Sequence, residues 1–230
     1  MVRPLHRWTI GKQLDEPHLN EDALACSFAR GIYAVSDGAS ESFASRHWAR
    51  ILVRRYLYRP ALDAAGLAGA IQEFNRHFDR PSMSWSAQAA FDRGSFATLL
   101  ALHFEGNGVR VLGIGDSLAV LDDGAGIRAT FPYTSPEQFR VNPLLLSTLH
   151  DRNAAVLERD AVTRWSFEGI EAPRIYAMTD AIGAWLLSDP EPRLAALRDL
   201  RQLRDFVALV EAARLDGSMR RDDTTLLVIG

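Results

Sequence analysis

Short apolar runs punctuate the first third of the chain. Residues 23–29 (ALACSFA) and 32–36 (IYAVS) are separated only by Arg30-Gly31, the pattern of a β-hairpin. Residues 6–12 predict a short opening strand, followed by a polar loop that contains Pro17. From Ser40 to Tyr58 the period changes. Trp48, Ile51, Leu52, Tyr56 and Leu57 recur at helical spacing, with Ser40 or Ser42 as N-cap. Pro60 stops that helix, and Leu67, Ile71, Phe74 and Phe78 form the stripe of a second one over residues 62–78.

Beyond residue 95 the pattern becomes strand-like. Residues 96–104 are almost wholly apolar, and Gly106-Asn107-Gly108 turns the chain. Strands at 109–114 and 118–121 follow, joined through Gly115-Asp116-Ser117, and together they read as a run of antiparallel hairpins. Residues 130–160 have no clear period and contain Pro132, Pro136 and Pro143. They predict loops and short helices of the kind that border a binding site. A strand at 175–179, a helix from 182, a long helix at 194–215 and a closing strand at 224–229 complete the chain. Hairpin-linked strands with segregated helices indicate an α+β domain. No repeat or linker divides residues 1–230.

Composition narrows the class. A hydrophobic fraction of 47% and a charged fraction of 24% are those of a globular chain. The formal net charge of -3 argues against a dedicated nucleic-acid binder. The N-terminal segment lacks a signal-peptide core, and no apolar run has membrane-spanning length. Cys26 is the single cysteine, so no intrachain disulfide forms, and a reducing, cytoplasmic setting is expected. Its apolar surroundings make it a small core side chain rather than a nucleophile.

The informative chemistry lies in the aspartates. Asp22 precedes one apolar strand and Asp37 ends the next; Asp180 follows IYAMT, and Asp222-Asp223 precede TTLLVI. Asp116 follows VRVLGIG. A strand end fixes its flanking residue at the rim of a sheet. If the sheets pack together, these carboxylates can converge. Two carboxylates ~4 Å apart repel by roughly 1–4 kcal/mol, a cost that a divalent cation removes. An all-oxygen donor set favours Mg²⁺ or Mn²⁺ over Zn²⁺.

Six segments in order resemble the metal-dependent protein phosphatases of the PPM, or type 2C, family. They are NEDA (20–23), AVSDGASES (34–42), GSFATLLAL (94–102), VLGIGDSLAVL (111–121), IYAMTDAIGAWL (175–186) and RRDDTTLLVI (220–229). The resemblance implies a four-layer αββα sandwich of two antiparallel sheets flanked by helices, with residues of about 130–160 as a variable flap. It implies that Asp37 bridges two Mg²⁺ or Mn²⁺ ions. The Gly38 carbonyl, Asp22 (directly or through water), Asp180 and Asp222 would complete the metal set, with Glu21 behind them. Catalysis would rest on Asp37 and Asp180, and Asp116 matches the position of a third, looser metal.

The expected activity is hydrolysis of phosphoserine or phosphothreonine in a protein substrate, by a metal-activated water, opposite a cognate kinase. The alternatives are a non-catalytic metal-binding module that captures a protein partner, and a hydrolase of small phosphorylated metabolites. Three departures from the family pattern matter. Pro17 stands where the family often carries a phosphate-binding Arg, leaving Lys12, His18 or a distant Arg to replace it. Thr-Asp-Gly becomes Thr179-Asp180-Ala181. Ala184 stands where relatives with a third metal have an acid.

Overall fold

The computed structural model describes residues 4–230; the first three residues of the segment read above for a leader lie outside it. The elements in order are β1 (Pro4–Ile10), β2 (Ala23–Ser27), β3 (Ile32–Ser36), α1 (Ser45–Tyr58), α2 (Ala64–Arg76) and α3 (Trp85–Asp92). Then come β4 (Phe96–Ala97), β5 (Leu99–Glu105), β6 (Gly108–Ile114), β7 (Leu118–Asp122), β8 (Ile127–Phe131), β9 (Leu146–Ser147), α4 (Ala154–Glu158) and β10 (Val162–Ser166). The chain closes with β11 (Arg174–Met178), α5 (Asp180–Ser188), α6 (Pro190–Asp199), α7 (Leu203–Leu215) and β12 (Thr224–Ile229).

Two antiparallel five-stranded sheets form the centre, in the orders β1-β12-β11-β7-β8 and β10-β6-β5-β3-β2. Period-two alternation explains the layering. In β3, Tyr33 and Val35 face the other sheet, whereas Ile32 and Ala34 face α1 and α2. In β11, Ile175 and Ala177 join the inter-sheet core, while Tyr176 and Met178 pack under α5, α6 and α7. Three apolar cores between four layers result. Strands buried on both faces read as continuous apolar runs, which is how most of them look in the sequence.

The structure corrects several expectations. The Gly115-Asp116-Ser117 turn does not close a hairpin, because β6 lies in one sheet and β7 in the other. It is the point where the chain changes sheets, and Gly115 has the left-handed φ of +91° that this needs. Helix α1 starts five residues later than Ser40. Ser42 instead accepts from Phe96 N and donates to Ala39 O, and its hydroxyl caps no helix. The second helix is shorter than residues 62–78, with Asp63 accepting from Gly66 N as its N-cap. The expected helix at 194–215 is two helices, broken where Leu200 turns extended and buries in the core.

Candidate functional site

All the flanking aspartates lie at one end of the sandwich, and the strand register shows why. Ala23 pairs with Ser36, which sets Asp22 and Asp37 side by side at the end of the β2–β3 hairpin. Met178 pairs with both Leu226 and Leu118, so Asp180, Asp222-Asp223 and Asp116 leave three adjacent strands at a common rim. The two rims meet through Thr179. Its hydroxyl donates to Asp22 Oδ2 at 3.1 Å, and Thr225 N donates to Thr179 Oγ1 at 3.0 Å.

The loops behind the aspartates are held by hydrogen bonds. Thr98 Oγ1 accepts from Asp37 N at 2.8 Å and lies 2.8 Å from Ser117 Oγ, tying the Asp37 loop to the Asp116 turn. A Cβ on Gly38 would stand 2.8 Å from the carbonyl carbon of Ser45, so α1 packs directly on the residue that follows Asp37. The adjacent pair at the start of β12 divides its work. Asp223 accepts from Lys12 N and from Glu21 N, each at 2.7 Å, and clips β1 to the NEDA segment. The Asp222 carboxylate instead accepts from Asp223 N and shares Arg220 with Asp180. Arg214, its side chain fully buried, donates to the carbonyls of Gly11 and Asp222 and fixes this corner from below. Nothing in the sequence pattern singled Arg214 out.

The buried carboxylates act on one another. Asp37 is held well above the usual carboxylate range by desolvation first, and then by Asp22, Asp180, Asp116 and Asp222. Asp22 is raised by desolvation and by Asp223 and Asp180, against hydrogen bonds from Thr225 and Thr179. Asp116 is pushed up to about 7 by desolvation and the Asp180 charge. Asp180 is raised by burial, with Arg220 pulling the other way.

One cation stands inside this group. Arg220 Nη2 is paired with Asp180 Oδ2 and lies 2.8 Å from Asp222 Oδ2. Lys12 occupies the opposite side, its ammonium 3.4 Å from Glu21 Oε2 and 3.2 Å from Ser40 Oγ. Glu21 also accepts from Ser45 Oγ. Pro17 and His18 lie in a short 3₁₀ turn, where the His18 carbonyl accepts from Arg46.

The donor set fits a hard divalent cation in one respect and differs in another. Asp22 Oδ1 and Asp180 Oδ1 are buried oxygens without a hydrogen bond of normal geometry. Such orphaned acceptors are costly unless something positive meets them. Among the described residues, however, no three acidic, His or Cys side chains are drawn into a closed coordination shell, and Arg220 stands between two of the carboxylates.

The chain matches no family model and no curated protein sequence. Its architecture does match solved structures over almost its whole length. The catalytic domain of the serine/threonine phosphatase PstP, in complex with two manganese ions, superposes with a TM-score of 0.63 at 16% identity, covering 99% of this chain and 97% of that one. PppA, a regulatory component of the type VI secretion system in Pseudomonas aeruginosa, gives 0.62 at 18%, covering 99% and 96%. The photosystem II phosphatase PBCP gives 0.63 at 15%, covering 100% and 98%. The chain has the fold of the PPM-type serine/threonine phosphatases. Residues of about 130–160, where a PPM flap is expected, form the end of β8, short 3₁₀ turns, β9 and α4. Phe139 of this segment approaches Gly183 of α5, next to the acidic rim. No helix among the described residues is long and apolar enough to cross a membrane.

Proposed function

We propose that this chain is a metal-dependent phosphomonoesterase acting on phosphoserine or phosphothreonine in a protein substrate, which a cognate kinase would phosphorylate. The observation that carries the reading is the meeting of Asp22, Asp37, Asp116, Asp180 and Asp222 at one end of a PPM-type fold, with two buried carboxylate oxygens unpaired. Asp37, Asp22, Asp180, Asp222 and the Gly38 carbonyl are the groups that would hold Mg²⁺ or Mn²⁺. Asp116 matches the position of a third, looser ion, but Ala184 lacks the acid that relatives with a third metal carry. When bound, such ions supply Lewis acidity and lower the pKa of a shared water.

The chain's own contributions follow from its geometry. Thr179 and Thr98 fix the orientations of Asp22 and the Asp37 loop before any ligand arrives, so little reorganisation is left for the reacting state. Asp37 is raised by burial and by the neighbouring carboxylates, and Asp180 by burial and by Asp222, so both would have to give up protons to hold a cation. Arg220, more than half exposed at the rim, brings a guanidinium beside the place where a phosphate dianion would have to approach these five carboxylates.

Arg220 also supports a second reading. A guanidinium paired with Asp180 and Asp222 could neutralise the site without turnover, leaving a non-catalytic module. Phosphate release from p-nitrophenyl phosphate, a phosphoserine peptide and a sugar phosphate, with and without 1 mM Mn²⁺, separates the readings (concentration chosen as roughly saturating for a carboxylate site). Mn²⁺-dependent release that favours the peptide and disappears in Asp180→Asn supports the enzyme. Manganese binding without release from any of the three supports the module, and release from the sugar phosphate alone supports a metabolite hydrolase.

A further inference from the structure

A basic surface adjoins the acidic rim at the free edge of β2. A groove of about 510 Å³ runs along that edge, between β1 and α1. On one wall stands Arg7 of β1; on the other stand His47, Arg50 and Arg54 of α1. Among the described residues, Asp22, whose Oδ2 accepts from Thr179, is the one acidic residue that lines it.

Three observations set this groove apart from ordinary surface charge. Arg46, Arg50 and Arg54 follow one another at i,i+4 on α1, a spacing at which like charges destabilise a helix. Arg50 is depressed by its burial and then by Arg46 and Arg54, so the three guanidiniums feel one another. Arg54 has one acidic partner, Glu73 at 3.2 Å, and Arg46 donates to the His18 carbonyl. No carboxylate pairs with Arg50 or Arg7 among the described residues, and Arg7 lies over the Phe28 ring. A stripe that costs helix stability, in a chain of net charge -3, is a local choice. Finally, β2 and β1 are the outermost strands of their sheets, so the floor of the groove is an open strand edge with unpaired main-chain groups. An edge flanked by cations on both faces suits an extended segment whose backbone pairs with the strand and whose acidic side chains reach to either side.

The geometry points to this groove as a docking site for an acidic, extended peptide segment of a partner protein, which adds as a strand to the edge of β2 between Arg7 and the arginines of α1. Asp22 immediately precedes β2, so the docked segment lies with one end at the acidic rim. A single-stranded nucleic acid would also meet the charge. Its bases would find little to stack on, since Trp8 in the lining is buried and the exposed Phe28 ring beside the groove is already covered by Arg7. Of the groove's lining residues only Asp22 belongs to the acidic site, so Arg7, Arg50 and Arg54 are tested apart from the hydrolytic reading.

Fluorescence anisotropy on the metal-free full chain tests this directly. The probes are a labelled peptide of alternating Glu and Val, the same peptide with Gln for Glu, the Glu peptide with two central prolines, and an oligothymidylate. Binding of the Glu–Val peptide alone is expected, at least tenfold weaker for the Gln and the proline peptides. It should weaken at least tenfold in Arg50→Glu/Arg54→Glu, and separately in Arg7→Glu, which lies on another element. Circular dichroism and the thermal midpoint of each variant establish that it is folded. Equal affinity for the proline peptide overturns strand addition. Unchanged affinity in both folded variants, preference for the oligothymidylate, or no binding of the Glu–Val peptide overturns the proposal.

Discussion

The hydroxyl of Thr179 donates to the carboxylate of Asp22 across the junction of the two sheets, 157 residues apart in sequence. Through Thr225 N, which donates to the same hydroxyl, this bond also fixes the start of β12. In Thr179→Val the shape is kept but a buried acceptor loses its donor, which costs about 1–3 kcal/mol. At about 2–4 °C per kcal/mol for a domain of this size, the metal-free thermal midpoint should fall by several degrees. Calorimetry of the variant and wild type in EDTA measures it.

Metal-free stability should fall as the pH rises. Asp22, Asp37 and Asp180 are raised in the folded state, and Asp116 lies at about 7, against an unfolded value near 3.9. Between those limits the folded chain binds more protons than the unfolded one, so the stabilisation is complete at the acid end and is lost as the pH passes through the folded values. The thermal midpoint in EDTA should therefore be higher at pH 5.5 than at pH 8. Saturating Mn²⁺ should remove or invert that slope, because ligation requires the deprotonated carboxylates.

Arg220 and a divalent cation would compete for the same oxygens of Asp180 and Asp222. Arg220→Ala should therefore tighten Mn²⁺ binding, by roughly three- to tenfold if the displaced ion pair is an exposed one of about 1 kcal/mol. Isothermal titration gives the ratio, and weaker binding in the variant would show that Arg220 supports the site instead.

Gly38→Ala should damage the site through the backbone. The added methyl meets the Ser45 carbonyl, and either α1 or the Asp37 loop must move. A shift of an ångström in a metal-holding carboxylate should cost at least tenfold in Mn²⁺ affinity, while the fold, read by far-ultraviolet circular dichroism, persists.

Much of this site was legible because each aspartate sits where an apolar run ends. The closing strand at 224–229 agrees with β12 residue for residue, and IYAVS with β3, because strands buried on both faces leave an unbroken apolar signature. What escaped has specific causes. β10 lies at a sheet edge, and its alternation of Thr163, Arg164, Trp165 and Ser166 is too polar to stand out from a loop. Helix α3 has no buried residue, so it lacks an apolar stripe. The turn at Asp116 signals a reversal, but turn chemistry does not say which sheet receives the next strand. Arg220 sits in a run of charges beside Arg221, and only the fold reveals that its guanidinium enters the acidic group while the Arg221 guanidinium donates to the Lys12 carbonyl.

The central claim is that separated aspartates act as one cation-holding pocket centred on Asp37, and calorimetric titration of Mn²⁺ into wild type and Asp37→Asn tests it most directly. The account predicts saturable binding with net proton release in the wild type, and an affinity at least tenfold lower, about 1.4 kcal/mol, in the variant. Equal affinities in the two proteins, or no saturable binding to the wild type, would contradict it.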